Sequence, residues 1–356
     1  MHAQNKAISS DFELVFPNVS DKLSELKGKT ILITGGTGFI GCWLSELLYY
    51  LNIKHSMSIK LIIVARNYDS FKLKLPHLVD SNFLQFISSD IRDVTEVPAD
   101  VDYIIHAANS PDNRFHSSRP FENMTTVAEG MGALIRAASF VPNLKKIINL
   151  SSSRVYSLGK NNKENFSEKN QGLSFNHQLF SCFGESMRYS ELLGLAARNE
   201  LRIPFVNIRP FTFCGAYGSI DSPWALNNFI NDALNDRPIS ILGDGSAIRS
   251  YMYGADLAAW ILVIMLHSED GKTYNVGNDH GFSIFEIAKK VSHYFQPSPS
   301  VLLNTSLTSK VNNLSLLPDI SNAKIDFELS HYTDIDVAIK RSIEWYQEDL
   351  ILKDKF

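Results

Sequence analysis

Cysteine and long apolar segments are scarce in this sequence. The 356 residues contain three cysteines, Cys42, Cys182 and Cys214, which lie far apart and form no Cys-x-x-Cys pair. We therefore expect neither a disulfide framework nor a bound metal, and reduced thiols instead. The apolar run at residues 257–266 is much shorter than the roughly 20 residues that span a bilayer. The first residues also lack the basic and apolar regions of a secretory leader, so we expect a cytoplasmic protein without a membrane span.

An excess of charge of one sign is also missing. The formal net charge is −4, and no run rich in lysine and arginine is present. We therefore expect no nucleic-acid partner. A phosphate-containing ligand would have to be bound by hydrogen-bond donors within its own site, because the protein has no general positive charge to attract it. With 44% hydrophobic and 20% charged residues, the composition is typical of a folded globular protein. The length fits one nucleotide-binding domain with a smaller lobe.

Short β-branched runs alternate with amphipathic segments in the first half of the chain. Runs that are buried on both faces predict a parallel sheet with right-handed crossovers, a doubly wound α/β fold of the Rossmann type. After about residue 210 the elements become shorter, which indicates a smaller mixed α/β lobe. We expect an amino-terminal arm at 1–28, a dinucleotide-binding domain at 29–210, and a lobe at 211–356 that mainly binds substrate. Some segments of this lobe are expected to cross back into the dinucleotide-binding domain. The predicted strands are 29–36, 60–66, 102–108 and 146–153, and the predicted helices include 43–51, 127–140 and 334–345.

A glycine-rich turn follows the first predicted strand. Residues 35–41 read Gly-Gly-Thr-Gly-Phe-Ile-Gly, and a predicted helix comes next. Gly35 permits the tight turn, Gly38 lets a pyrophosphate approach the backbone, and Gly41 lets the helix pack on the strand. Such a fingerprint alone also occurs in ordinary βα turns, but the order of strand, turn and helix predicts dinucleotide binding.

The end of the second predicted strand bears on the choice between NAD and NADP. An acidic residue there accepts a hydrogen bond from the ribose 2′-hydroxyl, whereas an arginine can hold a 2′-phosphate. In this chain the strand ends in Arg66 and Asn67. Arg66 favours NADP slightly, but an arginine that stacks on adenine serves NAD equally, so both cofactors stay open.

The spaced motifs resemble those of the NAD-dependent epimerase/dehydratase family, the extended short-chain dehydrogenases that modify nucleotide sugars. The glycine turn matches the family fingerprint, residues 89–93 (Ser-Asp-Ile-Arg-Asp) are similar to its adenine-contacting motif, and residues 106–108 (His-Ala-Ala) are similar to one of its strand ends. The resemblance implies NAD or NADP as cofactor. The residues that it assigns to cofactor binding are Gly35, Thr37, Gly38, Phe39, Ile40, Gly41, Arg66, Asn67, Asp90, Ile91, Ala107 and Ala108.

The resemblance also implies a site for a nucleotide-diphosphate sugar. Residues 151–156 are similar to the family's catalytic Ser/Thr segment, which implies a catalytic hydroxyl at Ser152 and a substrate contact at Ser153; a strand-end cap is the alternative role of Ser152. Residues 209–215 look like the family's Arg-Pro-x-Asn-x-x-Gly stretch, with Thr212 at the asparagine position. Arg249 matches the arginine that contacts the substrate pyrophosphate, and a solvated arginine beside a turn is the alternative.

The catalytic pair of the family is replaced in this chain. Family members need a Tyr-x-x-x-Lys pair on one helix face, where the lysine lowers the pKa of the tyrosine and holds the nicotinamide ribose. The matching segment has Phe183 at the tyrosine position and Met187 at the lysine position, and neither side chain transfers a proton. Tyr189 projects from another side of the helix. Other candidate groups in the preceding loop are Lys160, Lys163 and His177.

Several explanations of the replaced pair stay open. Both changes nearly preserve side-chain shape, which fits an inactivated enzyme that was altered deliberately to trap a bound substrate. A non-catalytic protein that binds a nucleotide sugar fits the same residues, as does an atypical enzyme with another proton donor.

Two further positions narrow the reaction. In the family's 4,6-dehydratases an Asp-Glu pair follows the catalytic hydroxyl, but this chain has Ser153 and Arg154 there. We therefore expect neither a standard dehydratase nor a uronic-acid decarboxylase. The first candidate reaction is that of an NAD(P)-dependent sugar epimerase, because epimerisation is the family's most frequent chemistry. The second candidate is a 4-keto-sugar-nucleotide reductase. In family members the helices that match 127–140 and 183–197 pack against a second subunit, which implies a homodimer.

Overall fold

The computed structural model describes residues 3–110, 112–156, 165–170, 179–304 and 315–353. Its strands are β1 (Thr30–Thr34), β2 (Lys60–Ala65), β3 (Leu84–Ser88), β4 (Tyr103–His106), β5 (Lys146–Leu150), β6 (Phe205–Pro210), β7 (Phe213–Cys214), β8 (Ile239–Leu242), β9 (Ile248–Arg249), β10 (Met252–Tyr253), β11 (Thr273–Val276), β12 (Phe282–Ser283) and β13 (Val301–Asn304). Its α-helices are α1 (Ala3–Val15), α2 (Ser20–Leu23), α3 (Phe39–His55), α4 (Tyr68–Lys74), α5 (Pro76–Val79), α6 (Asn113–Ser118), α7 (Pro120–Ala138), α8 (Cys182–Leu201), α9 (Ala225–Leu234), α10 (Gly254–His267), α11 (Ile284–His293), α12 (Ser321–Phe327) and α13 (Ile335–Lys353). Short 3₁₀ turns lie at Phe16–Asn18, Ser24–Leu26, Ile91–Asp93, Ser153–Val155 and Leu179–Ser181.

Seven parallel strands form the central sheet, in the order β11-β6-β5-β4-β1-β2-β3. This arrangement confirms the predicted doubly wound α/β fold. The strand order reverses between β1 and β4, and open α/β sheets bind ligands outside the carboxyl ends of the strands at such a point. The edge strand β11 comes from the second half of the chain.

The two faces of the sheet are covered by different helices. Ile31 and Ile33 of β1 join the larger apolar cluster together with residues of α3 and α10. Leu32, between them, joins a second cluster together with residues of α7. Because successive side chains of a strand point to opposite faces, a strand covered on both faces has apolar residues at successive positions, as β1 does at 31–33.

Residues 3–28 pack against the body of the protein. Phe12 of α1 is fully buried, and its ring meets the ring of Trp43 edge-on, with centroids 5.8 Å apart. The carboxylate of Asp11 accepts a hydrogen bond from the hydroxyl of Tyr253 at 2.8 Å, and burial raises the pKa of Asp11 to about 6. An aromatic contact and a buried hydrogen bond therefore join this segment to both halves of the chain.

Short strand pairs build much of the second half. β7 pairs with β10 and β8 with β13 in parallel, whereas β9 and β12 pair antiparallel. Arg249 lies in β9, opposite Phe282. Across the described ranges, no helix combines the length and the apolar character that crossing a bilayer requires.

Candidate active site

A cavity of about 400 Å³ opens where β1, β2 and β4 end. This is the place where the strand order reverses, so its position is the one expected for a ligand. Eight of the residues predicted to bind the cofactor line it: Gly35, Thr37, Gly38, Arg66, Asp90, Ile91, Ala107 and Ala108.

The glycine turn brings two backbone segments into close contact. Gly35 has a φ of +70°, and a Cβ at this position would lie 2.4 Å from the carbonyl oxygen of Ala107. Only glycine therefore fits between the ends of β1 and β4. Gly38 is the N-cap of α3, and because it has no side chain, no side-chain oxygen accepts hydrogen bonds from the first turn of the helix. The first N–H groups of this helix are thus available to an anion beside the cavity.

Charged side chains contribute to the lining of the first cavity. Arg66 is exposed at the end of β2. The Asp90 carboxylate accepts two hydrogen bonds from the guanidinium of Arg92, at 2.9 and 3.0 Å, and these hold the pKa of Asp90 below its ordinary value. Asn67 instead caps α4, where its side chain accepts a hydrogen bond from the backbone N–H of Ser70 at 2.8 Å. It is not among the residues that line the cavity.

A second cavity, of about 160 Å³, adjoins the first. The predicted site residues Phe39, Ile40, Gly41, Ser152 and Phe183 line it. The two cavities form one continuous site, because they share lining residues. These are Gly35, Gly38, Ala107, Asn109 and Ser110.

Ser152 lies just after β5, where a 3₁₀ turn begins. Its Oγ accepts a hydrogen bond from the backbone N–H of Arg154 at 3.2 Å, so the hydroxyl proton remains for donation to a ligand. Helix α8 approaches this turn closely, since a Cβ on Gly184 would lie 2.5 Å from the carbonyl oxygen of Arg154. This approach brings Phe183 and Ser152 to the wall of the same cavity. Ser153 is buried and does not line it.

The two positions of the replaced catalytic pair lie in one apolar cluster. Met187 is fully buried, and Phe183 is 6% exposed. An ammonium placed in such surroundings would lose the hydration that a charge needs. The other members of the cluster are Val127, Val155, Tyr156, Phe166, Phe211 and Leu316.

His116, in the short helix α6, stacks on the residue at the tyrosine position. Its ring is nearly parallel to that of Phe183, with centroids 3.8 Å apart and an angle of 12° between the planes. Nε2 of His116 lies 2.6 Å from the carbonyl oxygen of Ser110. His116 is 5% exposed and lines the second cavity. The sequence motifs do not identify it, because a single histidine among polar residues carries no characteristic spacing.

Several buried polar atoms around the two cavities have no hydrogen-bond partner among the described residues. They are Oδ1 and Nδ2 of Asn109, Oγ of Ser151 and Nδ2 of Asn123. Asn109 lines both cavities, whereas Asn123 lines the first and Ser151 the second. Because buried polar groups are normally paired, these atoms fit a polar ligand. Together with the open helix N-terminus, they make the site suitable for a dinucleotide.

Thr212 and Arg249 lie outside the linings of both cavities. The carbonyl of Thr212 accepts a hydrogen bond from the backbone N–H of Met252 at 3.0 Å. Arg249 is half-buried, and its Nη1 donates to the carbonyl of Ile248 at 2.7 Å. Burial lowers the pKa of Arg249, and the charge of Arg154 lowers it further. Arg154 lines the second cavity, so an anion between the two guanidinium groups would relieve their repulsion.

Tyr189, another candidate proton donor, does not join this site. Tyr189 is 50% exposed, whereas Phe183 of the same helix is buried, so the two lie on different faces of α8. The loop residues Lys160, Lys163 and His177 lie outside the described residues.

Residues 31–277 match the model of a protein family described as "NAD dependent epimerase/dehydratase family". UDP-glucuronic acid decarboxylase 1 of Arabidopsis thaliana is 23% identical over 327 residues, which cover 91% of this chain and 71% of that protein. A longer protein of the same plant is 25% identical over 338 residues, and the chain covers only 48% of its length. It is the trifunctional UDP-glucose 4,6-dehydratase/UDP-4-keto-6-deoxy-D-glucose 3,5-epimerase/UDP-4-keto-L-rhamnose-reductase RHM3.

Solved structures share the fold over nearly the whole chain. Epimerase Mth375 from Methanothermobacter thermautotrophicus has a TM-score of 0.78 at 21% identity, with 96% of this chain and 98% of that chain covered. The Bordetella bronchiseptica enzyme WbmF, in complex with NAD+ and UDP, has a TM-score of 0.73 at 18% identity, with coverage of 93% and 96%.

Proposed function

The chain belongs to the NAD dependent epimerase/dehydratase family, and on that premise we propose that it binds NAD or NADP together with a nucleotide-diphosphate sugar. The observation that carries the proposal is the continuity of the two cavities. The first holds the glycine turn and the helix N-terminus, and the second holds Ser152 and Phe183. A cofactor bound across both would thus present one end to the residues that match the family's catalytic positions.

The first cavity suits the adenosine and pyrophosphate of the cofactor. The N-terminus of α3 favours the pyrophosphate, and Arg66 lies at the end of β2, where a 2′-phosphate or an adenine ring is bound in such folds. When bound, the nicotinamide would accept a hydride from a sugar carbon and return it. The structure of WbmF contains NAD+, which supports NAD, whereas Arg66 supports NADP.

The reaction that we propose is oxidation and reduction at a ring carbon, of the epimerase type. The Ser152 hydroxyl can donate a hydrogen bond to the reacting oxygen. Ser153 and Arg154 replace the carboxylates of dehydratases and decarboxylases, so those reactions lack their usual acid and base. Several relatives are nevertheless UDP-glucuronic acid decarboxylases, and others include a UDP-glucose 4,6-dehydratase activity in their names. A 4-keto-sugar-nucleotide reductase is the second candidate, favoured by Arg66 because a reductase consumes free NAD(P)H.

In this proposal the nucleotide half of the substrate binds near Arg154 and Arg249. Both guanidinium groups have a pKa below the ordinary value because of burial. A pyrophosphate is an anion that two guanidinium groups can bind in the bidentate geometry that suits arginine. The plant relatives are named for reactions of UDP sugars, and the structure of WbmF contains UDP. UDP sugars are therefore the first nucleotide sugars to test.

A non-catalytic protein that binds a nucleotide sugar is the competing candidate. Phe183 and Met187 remove the phenol and the ammonium, and the apolar cluster around them removes the surroundings in which an ammonium would be stable. The family's usual proton transfer is therefore absent from this chain as its sequence stands.

We also propose a homodimer formed by α7 and α8. These two helices pack against each other, and their outer faces carry exposed apolar side chains. Phe121 and Met124 lie on α7, and Tyr189 and Leu192 lie on α8. Pairing with a second copy would bury these groups, and sedimentation velocity would measure the resulting mass.

Native mass spectrometry of the purified protein tests the proposed function. Denaturing release should then yield NAD(H) or NADP(H) together with an intact nucleotide sugar, whose mass would identify the substrate. A protein that is empty and also binds neither cofactor in calorimetry would overturn the proposal.

A further inference from the structure

We propose that His116 is the catalytic acid and base of this site, in the role of the tyrosine that position 183 lacks; the inference rests on the function proposed above. Among the described residues that line the second cavity, His116 and Arg154 are the titratable ones. Arginine stays protonated at all physiological pH values, whereas histidine exchanges its proton near neutrality.

Phe183 orients the ring of His116. The stacked contact, with 3.8 Å between centroids and 12° between planes, restricts the imidazole to one plane beside Ser152's cavity. A fixed orientation is what proton transfer to a bound hydroxyl needs. The aromatic ring at position 183 therefore keeps a role in the site although it has no hydroxyl of its own.

The hydrogen bond to Ser110 determines which nitrogen acts. A carbonyl oxygen only accepts hydrogen bonds, so Nε2 of His116 carries the proton and donates it to Ser110. In the neutral ring Nδ1 is then an acceptor. It is buried and has no partner among the described residues. Leaving a buried acceptor unpaired is unfavourable, and a substrate hydroxyl that donates to Nδ1 would remove this cost.

Burial and two charged groups affect the pKa of the His116 ring. Arg154 faces it from the 3₁₀ turn after β5, and Asp112 lies at the start of its own helix. Burial is the main reason that the pKa of His116 lies below its ordinary value; the hydrogen bond to Ser110 and the charge of Asp112 oppose the shift, and Arg154 adds to it. Burial therefore favours the neutral ring, which is the form that can accept a proton.

The proposed step conserves atoms and electrons. In the oxidising direction the sugar O–H bond breaks, and its proton moves to Nδ1, which converts the imidazole of His116 to imidazolium. The electron pair of the O–H bond forms the second bond of the carbonyl. The hydrogen of the adjacent C–H bond would leave with both electrons of that bond, as a hydride that a bound oxidised nicotinamide would accept. Ser152 donates a hydrogen bond to the same oxygen throughout. The reverse step returns the proton and the hydride, so the protein is unchanged.

Nuclear magnetic resonance of protein labelled with ¹⁵N-histidine tests the contact directly. The His116 signals are assigned by their absence in His116→Gln, and the exposed His293→Gln variant serves as the matched control. NAD+ is added first, followed by UDP-glucose or UDP-glucuronic acid, with binding checked by calorimetry. We expect the Nε2–H tautomer in the free protein and an upfield shift of the Nδ1 resonance when the sugar nucleotide joins NAD+.

The outcomes separate this inference from the proposed function. If NAD+ and a sugar nucleotide bind but the Nδ1 resonance does not move, His116 is not the acid and base, and the proposed function stands. If neither NAD+ nor NADP+ binds, or if no nucleotide sugar binds, including any that co-purifies with the protein, the proposed function fails, and the inference fails with it.

Chemical rescue provides the kinetic test. In His116→Ala, reduction of NAD+ by the sugar nucleotide should fall about 100-fold or more. Free imidazole should enter the space beside Phe183 and restore part of the rate, increasingly as pH rises and the added imidazole becomes neutral. A purely structural role would give no such rescue, and a wild-type rate in His116→Ala would overturn the inference. Where the alanine variant does not fold, or the wild-type rate is too low to measure, His116→Gln and the resonance test decide.

Discussion

Met187 lies one helical turn after Phe183, and both side chains are buried in the same apolar cluster. The exposed fractions are 0% and 6%. The lysine that the family places at position 187 would therefore stand among apolar side chains in this chain. The residues around positions 183 and 187 are thus apolar, as Phe183 and Met187 are.

Met187→Lys should destabilise the protein by about 3–5 kcal/mol at pH 7, because a buried lysine loses hydration and its pKa falls by several units. Since the folded pKa would lie below the unfolded value, the loss should shrink as pH rises towards 10. Urea unfolding at several pH values measures this. Met187→Leu, which conserves volume, should cost less than about 1.5 kcal/mol. A lysine variant as stable as the leucine variant would show that a polar partner is within reach.

Phe183→Tyr combined with Met187→Lys should raise turnover of a UDP sugar about 100-fold or more above Phe183→Tyr alone, since the ammonium lowers the pKa of the new phenol. Product formation is followed by chromatography, after circular dichroism has shown that the double variant is folded. A folded double variant that binds both ligands but converts none of the sugar would favour the non-catalytic binding protein.

Gly38→Ala should weaken NAD+ binding about tenfold or more with only a small loss of stability. The backbone at Gly38 suits alanine, with a φ of −77°, and the nearest atom to an added Cβ is the carbonyl oxygen of Gly35 at 3.3 Å. The methyl group would instead occupy space at the shared wall of both cavities, where a pyrophosphate approaches. Calorimetry measures affinity, with Gly132→Ala on α7 as control. Unchanged affinity would place the pyrophosphate elsewhere.

Arg66→Ala should lower the affinity for NADP+ about tenfold and change that for NAD+ by no more than about twofold, because an exposed arginine contributes mainly through the 2′-phosphate. Arg237→Ala, an exposed arginine of the second half, is the control. Equal losses for both cofactors would indicate that Arg66 stacks on the adenine instead.

Asp256 should make stability depend on pH in the acid range. Its Oδ1 accepts hydrogen bonds from the backbone N–H groups of Tyr332 and Thr333, at 2.6 and 3.3 Å, and burial raises its pKa from 3.8 to about 6. Because the folded pKa exceeds the unfolded value, the stabilising contribution of the protonated form is complete below pH 3.8 and is lost as pH rises through 6.

Asp256→Asn should consequently be more stable than the wild type at pH 7, by up to about 3 kcal/mol, and equally stable near pH 4. Denaturant unfolding across this range measures the difference. A difference that is the same at every pH would show that Asp256 has an ordinary pKa in the folded protein.

Four of the seven strands of the sheet, β1, β2, β4 and β5, could be predicted from the sequence because they are apolar on both faces and the glycine turn follows β1 directly. The strands β3, β6 and β11 are not among the predicted ones, and β3 is only partly buried. The packing of residues 3–28 could not be predicted. Phe12 is buried against Trp43 and Asp11 bonds to Tyr253, contacts that join residues far apart in the chain and carry no local pattern. Sequence periodicity shows that a helix has an apolar face, but not which element covers it.

The site could be predicted only where family motifs name its residues. Ser152 and Phe183 line one cavity, whereas Arg249 lies outside it, because the spacing of a motif does not determine where a long side chain ends. His116 has no motif, and its stacking on Phe183 depends on how α6 and α8 meet. Such a contact is a property of packing, so it becomes visible only in three dimensions.

The strand β11 has a consequence for how the chain is made. It closes the edge of β6 in the central sheet, but residues 273–276 are synthesised long after residues 205–210. On the ribosome, the outer edge of β6 exposes unpaired N–H and C=O groups until β11 emerges. A fragment cut after residue 210 would keep that open edge permanently, and we expect it to aggregate during expression even though it contains the whole glycine turn.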